Sequence, residues 1–280
     1  MLEECKNDRL ASSLVLCRLY NRNFQVLMIK RKSSMSFSSS YVFPGGTFDK
    51  EDADPRWSQL IQQKSEEIPE TSYSKKINLQ DAKVTAIRET WEEVGVLLAD
   101  RQINKTKNGK EFLDECLREN SRPQIEKLVY ITRFITPIGF QPRFDNIMFL
   151  AVAKNDTEVV IGTDESDDYL WAEPQEILDM YQRREILIWP PQASVLTTLA
   201  RFKTLDKVIS FLKALKKIPH MPEIIQGDSC VFYGDYRYTR TPEIIKQKKL
   251  IHMLDLAGRK VSMQISPEIV DFLTNLSPKL

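Results

Sequence analysis

The run Arg88-Glu89-Thr90-Trp91-Glu92-Glu93-Val94-Gly95-Val96 constrains this chain more than any other segment, because it sets three carboxylates at positions i, i+3 and i+4. That spacing stacks Glu89, Glu92 and Glu93 on one side of an α-helix, within an arc of about 100°. Val84, Ile87, Trp91 and Val94 then gather on the opposite side, so the helix is amphipathic and packs its apolar side on another layer. Like charges four apart destabilise a helix by roughly 0.2–0.5 kcal/mol per pair. A hard divalent cation among the oxygens removes that penalty. A solvated acidic face is the commoner use of such a stripe, but the flanks favour a site.

Upstream, Val42-Phe43-Pro44-Gly45-Gly46 reads as a strand end followed by paired glycines, which let the backbone turn and approach a ligand closely. Downstream, Gly95 stands where a left-handed cap ends the helix. Arg88 supplies a fixed cation that can orient carboxylates through charge-assisted hydrogen bonds. Asp81 is the expected N-cap of a helix running to about Val94.

These residues resemble the Nudix box, the loop-helix-loop signature of hydrolases that act on nucleoside diphosphates linked to another moiety. The tail matches Arg-Glu-hydrophobic-x-Glu-Glu-x-Gly-hydrophobic except at Thr90. The front departs from it. The usual box has its first glycine fourteen residues before the Arg, whereas Gly46 precedes Arg88 by 42, so about 28 residues are inserted. Gln80 stands where the box has its upstream Glu. The stretch Val42 to Asp49, with Asp52 and Trp57, is similar to the interrupted box of the peroxisomal coenzyme A diphosphatase subfamily. Arg143-Phe144-Asp145, Tyr169-Leu170-Trp171 and Ile188-Trp189-Pro190-Pro191-Gln192 are similar to that subfamily too.

The resemblance implies an α+β fold, a Nudix-type α/β/α sandwich with a mixed sheet. Residues 8–200 would form the hydrolase domain, interrupted at about 49–80; the tail goes beyond a minimal domain of this kind, and its own helical spacing and strand alternation make 201–280 a small helical and β appendage. It implies a cofactor of Mg²⁺ or Mn²⁺ held by Glu89, Glu93 and the backbone near Gly46, with Glu92 on a further ion and Arg88 orienting the glutamates. The general base need not come from the helix, and Glu165 in the acidic run 164–168 is the candidate, with a solvated loop acid as the alternative. Lys30-Arg31-Lys32 follows a strand; Lys30, Arg31 and Gly45 are candidate substrate-binding residues, with a solvated strand end as the alternative. The substrate is expected to be coenzyme A or acyl-CoA, a dinucleotide or nucleotide sugar being the alternative. A non-catalytic binding module is a third reading.

Along the chain, Ala11 to Arg18 and Phe24 to Lys30 read as a hairpin across Asn21-Arg22-Asn23. Residues 49–80 read as a polar surface loop with a short helix near Trp57 to Gln63. A second helix is expected at Lys110 to Glu119, then paired strands at Leu128 to Ile135 and Asn146 to Ala153. Helices follow at 173–185, 192–201 and 204–216, and strands at Ser229 to Tyr236 and Leu250 to Ile265, the latter turning at Ala257-Gly258-Arg259.

Forty basic and 39 acidic residues give a net charge of +1, so no global field favours nucleic acid or an anionic membrane as a partner. Four scattered cysteines without a CxxC pair argue for reduced thiols and against zinc. No apolar run is long enough to span a bilayer, and Glu3-Glu4 does not fit a secretory signal. The end Ser277-Pro278-Lys279-Leu280 resembles the Ser-Lys-Leu peroxisomal tripeptide in its last two residues. With the subfamily resemblance, it makes a peroxisome the expected address, read by an import receptor, with cytosol or mitochondrion as the alternative.

Overall fold

The computed structural model describes residues 6–32, 40–62, 66–71, 74–103, 111–161, 166–215, 219–221, 223–225, 229–231, 252–255 and 260–263. Strands β1 (Arg9–Tyr20) and β2 (Asn23–Arg31) form an antiparallel hairpin in which Tyr20 faces Asn23. Asn21 turns the chain at φ 52°, a left-handed conformation that Asn tolerates better than most residues.

Two-residue alternation sorts the hairpin into two cores. Leu14, Leu16, Leu27 and Ile29 face one layer, and Val15, Cys17, Val26 and Met28 face the other. The short strands β3 (Tyr41–Val42) and β4 (Gly45–Thr47) follow, then β5 (Glu67–Ile68) and β6 (Ile77–Asn78), which pair with each other. Helix α1 (Leu79–Val94) lays Val84, Ile87, Trp91 and Val94 on the first core, and α2 (Phe112–Arg118) adds Phe112, Leu113 and Cys116.

Strands β7 (Val129–Ile135), β8 (Phe144–Val152) and β9 (Ser166–Ala172) complete most of the sheet. Helices α3 (Pro174–Gln182), α4 (Pro190–Leu199) and α5 (Leu205–Ala214) cover its other face through Ile177, Leu196 and Val208. The last sheet member is β10 (Pro219–His220), parallel to β7. Strand order is β10-β7-β8-β1-β2-β3, with β4 also on β1 and β9 on β2. Since β1 and β8 run parallel and β7 and β8 antiparallel, the sheet is mixed. Helices on both faces make it the expected α/β/α sandwich.

Two expectations change. Helix α1 begins two residues before Asp81, because Asn78 is extended and its side chain accepts the Gln80 N–H at 2.9 Å. Asp81 instead lies in the first turn. The inserted segment is no simple surface loop: Trp57, Leu60, Ile61, Ile68 and Ile77 are buried in the α1-side core. Trp57 lies 5.8 Å from Phe112, ring centre to ring centre, and its indole N–H donates to the Glu51 carbonyl at 2.8 Å. A mean polarity over thirty residues hides apolar side chains spaced several apart, and a buried aromatic still brings its segment into the core. The expected helix at 57–63 is a 3₁₀ turn at Pro55–Gln59.

A second sheet orders β11 (Glu223–Ile225), β12 (Ser229–Val231), β13 (His252–Asp255) and β14 (Lys260–Met263) in antiparallel sequence. The strand ends expected at Tyr236, Leu250 and Ile265, the turn at 257–259 and the C-terminal tripeptide lie outside the described residues. Among the described residues, no helix is long and apolar enough to cross a membrane.

Candidate active site

The glycine turn and the acidic helix meet although 42 residues separate Gly46 from Arg88. Strand β4 pairs with β1, placing Gly46 opposite Ser12 and Gly45 opposite Ser13. From there the Gly45 N–H donates to Glu93 Oε2 at 2.7 Å. Gly45 has φ 151°, and a Cβ there would stand 2.3 Å from the Ser12 carbonyl oxygen. On Gly46 a Cβ would stand 2.4 Å from Glu89 Oε2. A side chain is thus excluded at Gly45 by backbone, and at Gly46 it would have to displace the Glu89 carboxylate.

Arg88 ties the assembly together. Its guanidinium forks onto Asp52, Nε to Oδ1 at 2.8 Å and Nη2 to Oδ2 at 2.9 Å, and Nη2 also donates to the Thr47 carbonyl at 3.0 Å. Nη1 reaches Glu89 at 2.9 Å and both Glu92 oxygens at 3.2 Å. Asp52 is buried and also accepts the Thr85 hydroxyl at 2.8 Å and the Asp49 N–H at 2.9 Å. Charge-assisted, forked bonds of this kind fix rotamers as well as charges.

Asp52 corrects the alignment of the box. A box with its glycine fourteen residues and its acid eight residues before the Arg has that acid six residues after the glycine. Counting forward from Gly46 reaches Asp52, and counting back from Arg88 reaches Gln80. The forked pair with Arg88 identifies Asp52 as the upstream acid, so the inserted residues lie between Asp52 and α1. Only a count taken from the glycine side could have found it.

Burial, reinforced by the charge of Glu92 and opposed by Arg88, pushes the Glu89 carboxyl up to about 7. Such a shift marks a carboxylate held away from water, with neighbouring like charge as a smaller contribution. The donors along this edge are all oxygen, which fits a hard cation such as Mg²⁺ or Mn²⁺. With Glu89 and Glu92 turned to Arg88 and Glu93 to Gly45, no three acidic, His or Cys side chains converge at ligating distance among the described residues.

The structure separates the two candidate basic residues. Lys30 faces Tyr41 and Asp168 across the sheet, on the side of Met28 and the α3–α5 layer, away from α1. Arg31 is two residues beyond Ile29, whose side chain packs in the α1 core, and a register shift follows Lys30. Alternation therefore turns at most Arg31 toward the carboxylate layer. Glu165 lies outside the described residues.

A mixed sheet between helical layers, with a glycine turn clasped to an Arg-Glu-Glu helix, defines a Nudix diphosphatase. The family profile of the NUDT19 Nudix domain matches residues 9–199, and the chain belongs to that family. It is 26% identical over 245 residues to the putative nudix hydrolase 7 of Caenorhabditis elegans, covering 82% of this chain and 74% of that protein. It is 24% identical to the human acyl-coenzyme A diphosphatase NUDT19, covering 82% of this chain and 80% of the relative. The crystal structure of a NUDIX hydrolase from Alicyclobacillus acidocaldarius superposes with a TM-score of 0.60 at 26% identity, over 73% of this chain and 96% of that one.

Proposed function

We propose that the protein hydrolyses the phosphoanhydride of coenzyme A or of an acyl-CoA, with Mg²⁺ or Mn²⁺, to 3′,5′-ADP and phosphopantetheine or its acyl form. The observation that carries this reading is the closure of the interrupted box, glycines on Glu89 and Glu93 and Asp52 on Arg88, in a chain similar over most of its length to proteins named acyl-coenzyme A diphosphatases.

Glu89, Glu92, Glu93 and the Gly46 carbonyl would hold the cation, which when bound offsets negative charge on the phosphoryl oxygens and aligns the attacking water. Arg88 keeps Glu89 and Glu92 in place and, being itself held by Asp52, does so with little freedom. Gly45 fixes Glu93 through its N–H. Arg31 is the basic residue better sited than Lys30 for a phosphate. Glu165 is our candidate for accepting the proton of the water. One water is consumed; its oxygen ends on one of the two phosphate products.

We assign residues 8–200 to the hydrolase domain and 201–280 to an appendage packed on it, whose first elements, α5 and β10, join the helical layer and the sheet of that domain, and we propose a peroxisomal address on the subfamily resemblance. A fusion with a fluorescent protein at the N-terminus should coincide with a peroxisomal marker; diffuse signal rejects the address.

The decisive experiment offers purified protein, Mg²⁺ or Mn²⁺, and a panel of coenzyme A esters, nucleotide sugars and dinucleotides, with products identified by mass spectrometry. Formation of 3′,5′-ADP is expected. Turnover of nucleotide sugars or dinucleotides alone would transfer the same chemistry to another substrate, and no turnover at all would reject catalysis.

A further inference from the structure

A further buried Arg-Asp pair sits in the sheet itself, on the adjacent strands β7 and β8. Arg133 of β7 is fully buried and forks onto Asp145 of β8, Nε to Oδ1 at 2.7 Å and Nη2 to Oδ2 at 2.6 Å. Nη2 also donates to the Lys75 carbonyl at 2.6 Å, on the return limb of the insertion. Lys75 is held at its other end too, where Nζ donates to the Asp8 carbonyl at 2.8 Å. Three residues later Asn78 caps α1, and Leu79 donates its N–H to the Glu66 carbonyl at 2.8 Å. The pair thus joins the sheet to the limb that delivers the catalytic helix.

Stability does not account for it. A buried ion pair repays its desolvation poorly, and apolar residues of the same volume are often as stable or more so. Here the cost is not fully met, because Arg133 Nη1 and the buried Tyr130 hydroxyl have no hydrogen-bond partner among the described residues. An apolar pair could fill this space, but it could not hold a carbonyl. We propose that Arg133 is a positioning residue: from the sheet it grips the return limb at Lys75, and so fixes where α1 and its carboxylates begin. The inference rests on the reading of those carboxylates as the metal site.

The test is the double variant Arg133→Met/Asp145→Leu in the full chain, with Arg133→Lys as a milder variant that keeps the charge but has no second arm for Lys75. Both should fold, with a melting temperature near that of the wild type. Amide exchange at residues 74–79 should quicken, Mn²⁺ affinity should weaken by about tenfold or more, the scale of lost outer-shell partners, and kcat should fall alike. KM should move less than roughly threefold, since geometry and not substrate contact is lost. Lys75→Met, which keeps the carbonyl and loses only the Nζ bond to Asp8, should change all of these readouts far less than the double variant does. Wild-type exchange and Mn²⁺ affinity in a folded double variant would overturn the proposal. Those two readouts need no substrate, so they decide it even if the coenzyme A reading fails.

Discussion

At Gly46 the space for a β-carbon is filled by the carboxylate of Glu89. Gly46→Ala should therefore displace Glu89 and not unfold the protein, because the clashing atoms end a flexible side chain. Its turnover should drop toward that of Glu89→Gln. For Glu89→Gln and Glu93→Gln, which keep shape and lose charge, we expect a fall of roughly 10²-fold or more, the scale of a missing electrostatic group. Circular dichroism should match wild type in all three. Near-normal turnover in folded Glu93→Gln would end the assignment of this edge as the metal site. Asp81 shows how burial overrides a favourable position. An acid in the first turn suits the helix dipole, yet burial, helped by the nearby Asp52 charge, pushes Asp81 up to about 6. With the folded value raised, the stability owed to protonated Asp81 is present below about pH 4 and lost as pH rises through 6. Asp81→Asn should thus be more stable than wild type at pH 7.5, by about 1 kcal/mol once solvent screening of a half-buried group is allowed for. The gain should vanish near pH 3.5 in a denaturant titration.

Among the elements, α1 and the insertion depend on each other. Trp57 packs beside Phe112, which in turn packs on Trp91 of α1 at 5.3 Å between ring centres. Trp57→Ala should cost about 3–5 kcal/mol, the usual loss for a large buried aromatic. Deleting residues 60–76 would remove Leu60, Ile61 and Ile68 from the core and the Lys75 carbonyl from Arg133, so it should lower the melting temperature before it alters substrate affinity. The helix itself was legible in the sequence because three acids, an apolar stripe and a terminal glycine all agree on one period, and Gly95 does end it at φ 70°. The β1–β2 and β7–β8 pairs were legible as apolar runs between turn residues. What periodicity could not reveal was pairing at long range. Asp52 can be reached by counting from Gly46, and Asp145 stands in a motif of the subfamily, but neither the pairing of Asp52 with Arg88 nor that of Arg133 with Asp145 has a local signature, since only the fold brings the partners together.

For the whole molecule, a cation that binds only the folded chain must raise its stability in proportion to the logarithm of its concentration. At a hundred times its dissociation constant Mg²⁺ should add about 2.7 kcal/mol, seen as a rise of several degrees in melting temperature. A chelator should reverse the rise, and Glu93→Gln should lack it. The distance along the chain between the two halves of the box has a separate result, in time. Closing a loop of 42 residues in place of fourteen costs about 1 kcal/mol more in chain entropy. That cost falls on the encounter of the glycine turn with the helix, and it is recovered only once the residues between them have packed. Hairpin and helix form from neighbours in sequence, within microseconds in general. The glycines are therefore expected to reach Glu89 and Glu93 after Trp57 and the return limb have settled. A refolding chain should accordingly regain its helical signal before it regains the ability to capture a cation, and simultaneous recovery of the two would reject this order.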